Sequence, residues 1–167
     1  FQISNLNVDP AVHGILVQLP LPGNMSAGQI ISLIKKEKEI DGLSPTSLFI
    51  SPTAQAVVHV LTEEKINIKG AKAVVLGRGK TAGIPIARAL RKRGAKVFVA
   101  NSQTPPSLLT SHLLTSDLIV SAVGKPNLIN GGMIKEGAVV ISVGMSRLPI
   151  PRHPELVSGS SPSSKVV

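Results

Sequence analysis

The segment A-V-V-L-G-R-G-K-T-A-G-I-P, residues 73–85, constrains the fold more than any other part of the chain. A β-branched run ends at Gly77, and helical apolar spacing begins near Ala82, so a strand turns almost directly into a helix. Glycines at 77, 79 and 83 let backbone N–H groups approach an anion at the helix N-terminus. Unpaired donors and the helix dipole favour negative charge there. The spacing G-x-G-x-x-x-G is one residue longer than the usual dinucleotide fingerprint. A strand–turn–helix without any ligand would use the same glycines, so this segment alone leaves both readings open.

The remaining aliphatic runs extend the pattern. Strand-like runs occupy residues 14–19, 73–76, 97–100, 118–122 and 139–143. Helical spacing is found at 83–93 and 106–114, and a short segment near 131–135 precedes the last run. Alternating strands and helices imply right-handed crossovers and a parallel sheet. Upstream, Ser26 is placed to cap a helix over 27–36 with Ile30, Leu33 and Ile34 on one face. Residues 40–43 form a turn. Thr53 opens a helix over about 55–63 with Val57, Val60 and Leu61 inward. Two architectural pieces result, with a hinge near residues 50–70.

Composition narrows the chemistry. Apolar residues make up 43% of the 167 residues but aromatic ones only 2%, so the core is aliphatic, which suits parallel strands covered by helices. With no Cys, disulfides, thiolate metal ligands and a cysteine nucleophile are excluded; with no Tyr, so is a phenolic acid or base. His13, His59, His112 and His153 are too widely spaced to suggest a metal site. The net charge of +9 invites a nucleic-acid reading, but the cations are scattered and aromatic stacking platforms are lacking. The densest group, Arg88, Arg91, Lys92 and Arg93, sits where cations complement a helix C-terminus. No signal peptide or apolar run of about 18 residues is evident, which points to a cytoplasmic protein without membrane or nucleic-acid partners.

A colinear set of motifs resembles one family. G-I-L-V-Q-L-P-L-P (14–22), I-D-G (40–42), S-P-T (51–53), G-R-G-K-T-A-G-I-P (77–85), N-S-Q-T (101–104), D-L-I-V-S-A-V-G-K (117–125) and G-A-V-V-I-S-V-G (137–144) follow in order. Together they resemble the bifunctional methylenetetrahydrofolate dehydrogenase/methenyltetrahydrofolate cyclohydrolases, over residues 5 to about 147. The resemblance implies an α/β architecture. Residues 1–55 would be the last strand and helix of a folate-binding catalytic domain, and 56–147 a Rossmann-like NADP-binding domain. It further implies oxidation of 5,10-methylenetetrahydrofolate to the methenyl form, hydrolysis to 10-formyltetrahydrofolate, and a homodimer formed through the Rossmann domain.

Roles carry over residue by residue. Gln18 matches the glutamine beside the family's catalytic lysine, and its amide can both donate and accept hydrogen bonds. Asp41 matches the aspartate that grips the pterin, whose amino and N–H edge suits a carboxylate. Gly77, Arg78, Gly79 and Gly83 match the cofactor turn. The second strand of this unit ends in A-N-S (100–102) without the carboxylate that a dinucleotide 2′-hydroxyl requires. Arg78 and Ser102 suit a 2′-phosphate instead, making NADP the expected cofactor.

The departures set further expectations. The family's Tyr-x-x-x-Lys helix is not in this sequence, nor is its closing P-V-P-G-G-V-G-P run. Gly79, Asn101 and Ser142 stand where the family has Ser, His and Asp, and Ala54 and Ala56 where it has Pro and Gly. Residues 148–167, rich in Pro and Ser, read as a disordered tail unlike the family. The chain is therefore expected to be a fragment, inactive alone. A non-catalytic NADP-binding or oligomerisation module, or the inert product of a decaying gene, are the alternatives.

Overall fold

The structure, a computed structural model, describes residues 2–144. The expected tail at 148–167 lies outside them. The core is a four-stranded parallel sheet of β1 (Lys72–Leu76), β2 (Lys96–Ala100), β3 (Leu118–Ser121) and β4 (Val139–Ser142), ordered β2-β1-β3-β4. Helices α4 (Gly83–Lys92) and α5 (Pro106–Thr115) make the first two crossovers, and a single 3-10 turn (Gly131–Met133) lies in the third. The chain leaves β1 through α4 to reach β2 on one side. It then returns through α5, past β1, to β3 on the other side.

Alternation along each strand builds two cores. Ala73 and Val75 of β1, with Leu118 and Val120 of β3, face Ile86 and Leu90 of α4 and Val57 and Leu61 of α3 (Pro52–Glu63). Val74, Leu76 and Ile119 face the opposite way, onto Leu113 of α5. A sheet covered on both faces explains why these runs are continuously aliphatic rather than alternating. At the entry ends of the strands, Asp117 accepts from the Lys72 N–H at 2.8 Å and pairs with Lys135. The Lys135 hydrogen bond, then the Lys72 amide, hold the Asp117 carboxyl below its ordinary range.

The expected strands and helices of the sheet unit form, with ends shifted by a residue or two. Upstream the outcome differs. The run at 14–19 makes no strand: Ile15 alone bridges to Glu39, in parallel, and Leu16 is 53% exposed. A strand exists through its partners, and among the described residues only Glu39 supplies one. The first residues form helix α1 (Gln2–Val8). The helix expected over 27–36 is α2 (Ala27–Ser32), capped by Ser26 as expected. Because it stops at Ser32, helical spacing no longer governs Leu33, which is exposed, while the following turn brings Ile34 inward.

α3 begins earlier than expected, with Ser51 as N-cap, accepting from the Ala54 N–H, and Pro52 in the first turn. Proline fits there because its missing N–H has no helical acceptor. The expected hinge near 50–70 thus contains a continuous helix packed on α4, and the expected division after residue 55 falls inside it.

The two regions should respond differently to truncation. Ile119→Ala, at a fully buried central-strand position, is expected to cost about 2–5 kcal/mol in urea unfolding. Leu16→Ala should change stability by no more than about 0.5 kcal/mol. Comparable losses at both positions would contradict this division.

Candidate functional site

Two groups of residues carry candidate chemistry, and the fold places them separately. The first lies at the exit end of β1. Gly77 adopts φ +105°, and a Cβ there would sit 2.9 Å from the Ala122 carbonyl oxygen, so the turn leaves β1 hard against the loop after β3. Gly83 opens α4 with its Cα against the Gly77 carbonyl; any side chain would overlap that oxygen. The turn therefore closes only with glycine at both positions. Gly79, between them, faces open space.

This arrangement suits an anion. Ala82, the N-cap of α4, offers no side-chain acceptor to the first-turn N–H groups. Pro85 has no N–H and the Ile84 N–H donates to the Gly79 carbonyl at 3.0 Å, so the Gly83 N–H and the dipole of a ten-residue helix are what the first turn offers to the space above it. The position is also a topological switch point, since the connections from β1 and into β3 run to opposite sides of β1. In open parallel sheets ligands bind in that crevice.

Arg78 is exposed on the turn. It shares the rim of a groove of about 450 Å3 with Asn101 at the end of β2, beside Ile84, Ala87 and Arg91. Ser102 follows, exposed on a turn that Asn101 stabilises by accepting from the Gln103 N–H at 2.8 Å. Arg78 and the end of β2 therefore stand at one edge of the sheet, and no carboxylate occurs at residues 100–104. The chemistry of this donor set fits a phosphorylated dinucleotide.

The second group is upstream. The Ile15–Glu39 bridge is parallel, with the Ile15 N–H donating to the Lys38 carbonyl at 2.6 Å. Gln18 follows three residues after Ile15, and Asp41 two residues after Glu39. Both chain segments thus leave the bridge in the same direction. Gln18 is exposed, its Nε2 donating to the Leu19 carbonyl at 3.1 Å. Asp41 is half-buried; burial, then the neighbouring Glu39 carboxylate, raise its carboxyl above the ordinary range. Among the described residues, no hydrogen bond is made to the Asp41 carboxylate.

Sequence reasoning missed Glu39. It is 1% exposed and accepts from the N–H groups of Asp41 (3.0 Å), Leu43 (3.4 Å) and Ser44 (3.4 Å). An acidic residue two positions before Asp-Gly was the available signal, since a carboxylate there can collect the amides of the following turn. Among the described residues, no cluster of three or more His, Asp or Glu could hold a metal, and no helix is long and apolar enough to cross a membrane.

Comparison with known proteins decides between a bare α/β domain and a specific lineage. Residues 51–161 match the family model of the tetrahydrofolate dehydrogenase/cyclohydrolase NAD(P)-binding domain, and residues 1–41 match the catalytic domain of the same family. The chain belongs to the tetrahydrofolate dehydrogenase/cyclohydrolase family. The first match runs beyond the described residues, to 161. A curated relative, the bifunctional protein FolD of Polynucleobacter asymbioticus, is 41% identical over 157 residues, covering 89% of this chain and 55% of the relative. The crystal structure of the bifunctional FolD of Campylobacter jejuni superposes with a TM-score of 0.79 at 36% identity, covering 88% of this chain and 55% of that one. The Trypanosoma brucei enzyme, solved with NADP cofactor and an inhibitor, gives 0.77 at 37%, covering 91% and 55%. The chain thus spans about half the length of the curated relatives it matches.

The raised Asp41 has a signed consequence. The folded chain holds the Asp41 proton more tightly than the unfolded chain does. Stability from this group is therefore fullest below the ordinary carboxylate range and falls as pH rises through the raised value. Asp41→Asn is predicted to raise the urea midpoint at pH 7, with the gain vanishing near pH 3. A lowered midpoint at pH 7 would show that the ionised carboxylate stabilises the turn.

Proposed function

We propose that the protein acts in one-carbon folate metabolism, as an NADP-dependent methylenetetrahydrofolate dehydrogenase and methenyltetrahydrofolate cyclohydrolase. On this reading 5,10-methylenetetrahydrofolate loses a hydride to give the methenyl cation. Addition of water and loss of a proton then give 10-formyltetrahydrofolate. NADP, when bound, supplies the hydride acceptor. The observation that carries the proposal is the glycine turn at the switch point, with Arg78 exposed beside a β2 end that has no carboxylate.

The residues divide the work. Gly77 and Gly83 let the turn close, and the backbone N–H groups of Gly79 and Gly83 reach the diphosphate. Arg78 and Ser102 bind the 2′-phosphate, Arg78 by its planar fork and Ser102 by its hydroxyl. Asp41 accepts from the amino and N–H edge of the pterin through its two carboxylate oxygens. Gln18 orients a neighbouring amine or water through its amide. The folate-binding piece lies upstream of α3 and the cofactor-binding unit continues from it. The location is cytoplasmic, and the protein is a homodimer formed through the sheet unit. Supporting the last point, one edge of β2 carries no strand partner among the described residues.

Cofactor preference tests the proposal. By titration calorimetry the chain should bind NADP about 10- to 150-fold more tightly than NAD, the range given by one charge-assisted hydrogen-bonded pair of about 1.5–3 kcal/mol. Arg78→Ala should abolish the preference while leaving NAD affinity nearly unchanged. Equal affinities in the unsubstituted chain would refute the 2′-phosphate assignment.

A further inference from the structure

Glu39 is the most buried ionisable side chain among the described residues, and the chemistry above does not use it. Burying a carboxylate is unfavourable unless its oxygens are satisfied. Here they are. Oε1 accepts from the Asp41 and Leu43 amides and Oε2 from the Ser44 amide. The same residue's carbonyl accepts from the Ser47 hydroxyl at 3.1 Å, and its backbone forms the bridge to Ile15. One residue thus closes the turn that carries Asp41 and fastens it to the segment that carries Gln18.

We propose that Glu39 is a positioning residue for the folate site. Its carboxylate gathers the amides of Asp41, Leu43 and Ser44 and so fixes where the Asp41 carboxylate points before substrate arrives. The proposal rests on the reading of Asp41 as the pterin-binding group. Preorganisation of this kind matters because a bidentate contact to a planar heterocycle tolerates little angular error. Without Glu39, three amides lose their acceptor; Ser47 and Arg88 hold only carbonyls of this segment, those of Glu39 and Ser44.

The charges around the turn leave Glu39 as the one acting on Asp41. Lys38, adjacent in sequence, directs its Nζ away, to the carbonyls of Leu6 (2.9 Å) and Asp9 (2.7 Å) beside α1. From α4, Arg88 donates to the Ser44 carbonyl at 3.0 Å. The upward shift of Asp41 arises from burial and from Glu39, with no cation among its causes. Glu39 therefore also keeps the neighbouring carboxyl readier to hold a proton.

The test uses the full 167-residue chain and its Glu39→Gln, Asp41→Asn and double variants. Gln keeps the size of Glu39 but replaces one acceptor by a donor and removes the charge. In 13C-labelled aspartate spectra, with Asp9 and Asp117 as internal references, the Asp41 titration midpoint should move down in Glu39→Gln. Amide exchange at Asp41, Leu43 and Ser44 should accelerate at least about 10-fold, the equivalent of one charge-assisted hydrogen bond. Affinity for 5-formyltetrahydrofolate, measured by calorimetry, should fall about 10-fold in Glu39→Gln. The double variant should bind no more weakly than Asp41→Asn alone, because Glu39 acts through Asp41.

Additive losses in the double variant, or an Asp41 midpoint and amide exchange unchanged by Glu39→Gln, would overturn the proposal. If the unsubstituted chain binds no folate, the substrate reading fails; the titration and exchange results then decide the positioning role alone. Should Glu39→Gln not fold, exchange in the unsubstituted chain decides it. The Asp41, Leu43 and Ser44 amides must exchange more slowly than that of Leu48 in the same loop, and equal rates would overturn the assignment.

Discussion

The backbone contact between Gly83 and the Gly77 carbonyl is the constraint on which the rest of the sheet unit depends. It forces α4 to start within a few residues of the end of β1, which sets the helix across the face formed by Ala73 and Val75. It also leaves the Gly83 N–H and the positive end of the α4 dipole over the exit end of the sheet. Packing and ligand chemistry thus share one device. A residue with a Cβ at either position would push the helix off the core and close the cleft together.

The region upstream of α3 is held by a different kind of force. Few of its side chains are buried, and polar hooks do most of the holding. The Asn7 side chain donates to the Leu33 carbonyl and accepts from the Lys35 N–H; Lys38 binds two carbonyls near the end of α1; Arg88 reaches from α4 to Ser44. Glu39 sits at the centre of this set. Hydrogen bonds of this kind contribute about 0.5–1.5 kcal/mol each, so the arrangement is shaped more than it is stabilised.

The sequence was legible where structure follows from local pattern. Leu118, Ile119 and Val120 read as a buried strand because both faces of a parallel strand are covered, and residues 77–83 read as a strand turning directly into a helix because the close approach at 77 and 83 requires glycine. Ser26 was found as a cap for the same reason: a hydroxyl placed before an apolar period has few other uses. Legibility ended where partners decide. The run at 14–19 has strand composition but a single bridging residue, and nothing in its own residues could reveal that. Helix α1 carries no buried side chain and hence no apolar period to read. Glu39 left only its spacing before Asp-Gly as a signal, since its burial depends on three amides that come together only once the turn has closed.

The central claim is that the glycine at 83 holds the fold and the cofactor turn together, whereas position 79 has room for a side chain. Thermal melting of Gly83→Ala and Gly79→Ala, each with and without NADP, tests it most directly. Gly83→Ala should melt well below the unsubstituted chain without any ligand, because its Cβ meets backbone. Gly79→Ala, which faces open space at a position where the family has Ser, should melt like the unsubstituted chain and keep the rise in melting temperature that saturating NADP produces. Gly83→Ala melting like the unsubstituted chain, or Gly79→Ala losing most of the NADP-dependent rise, would contradict the account.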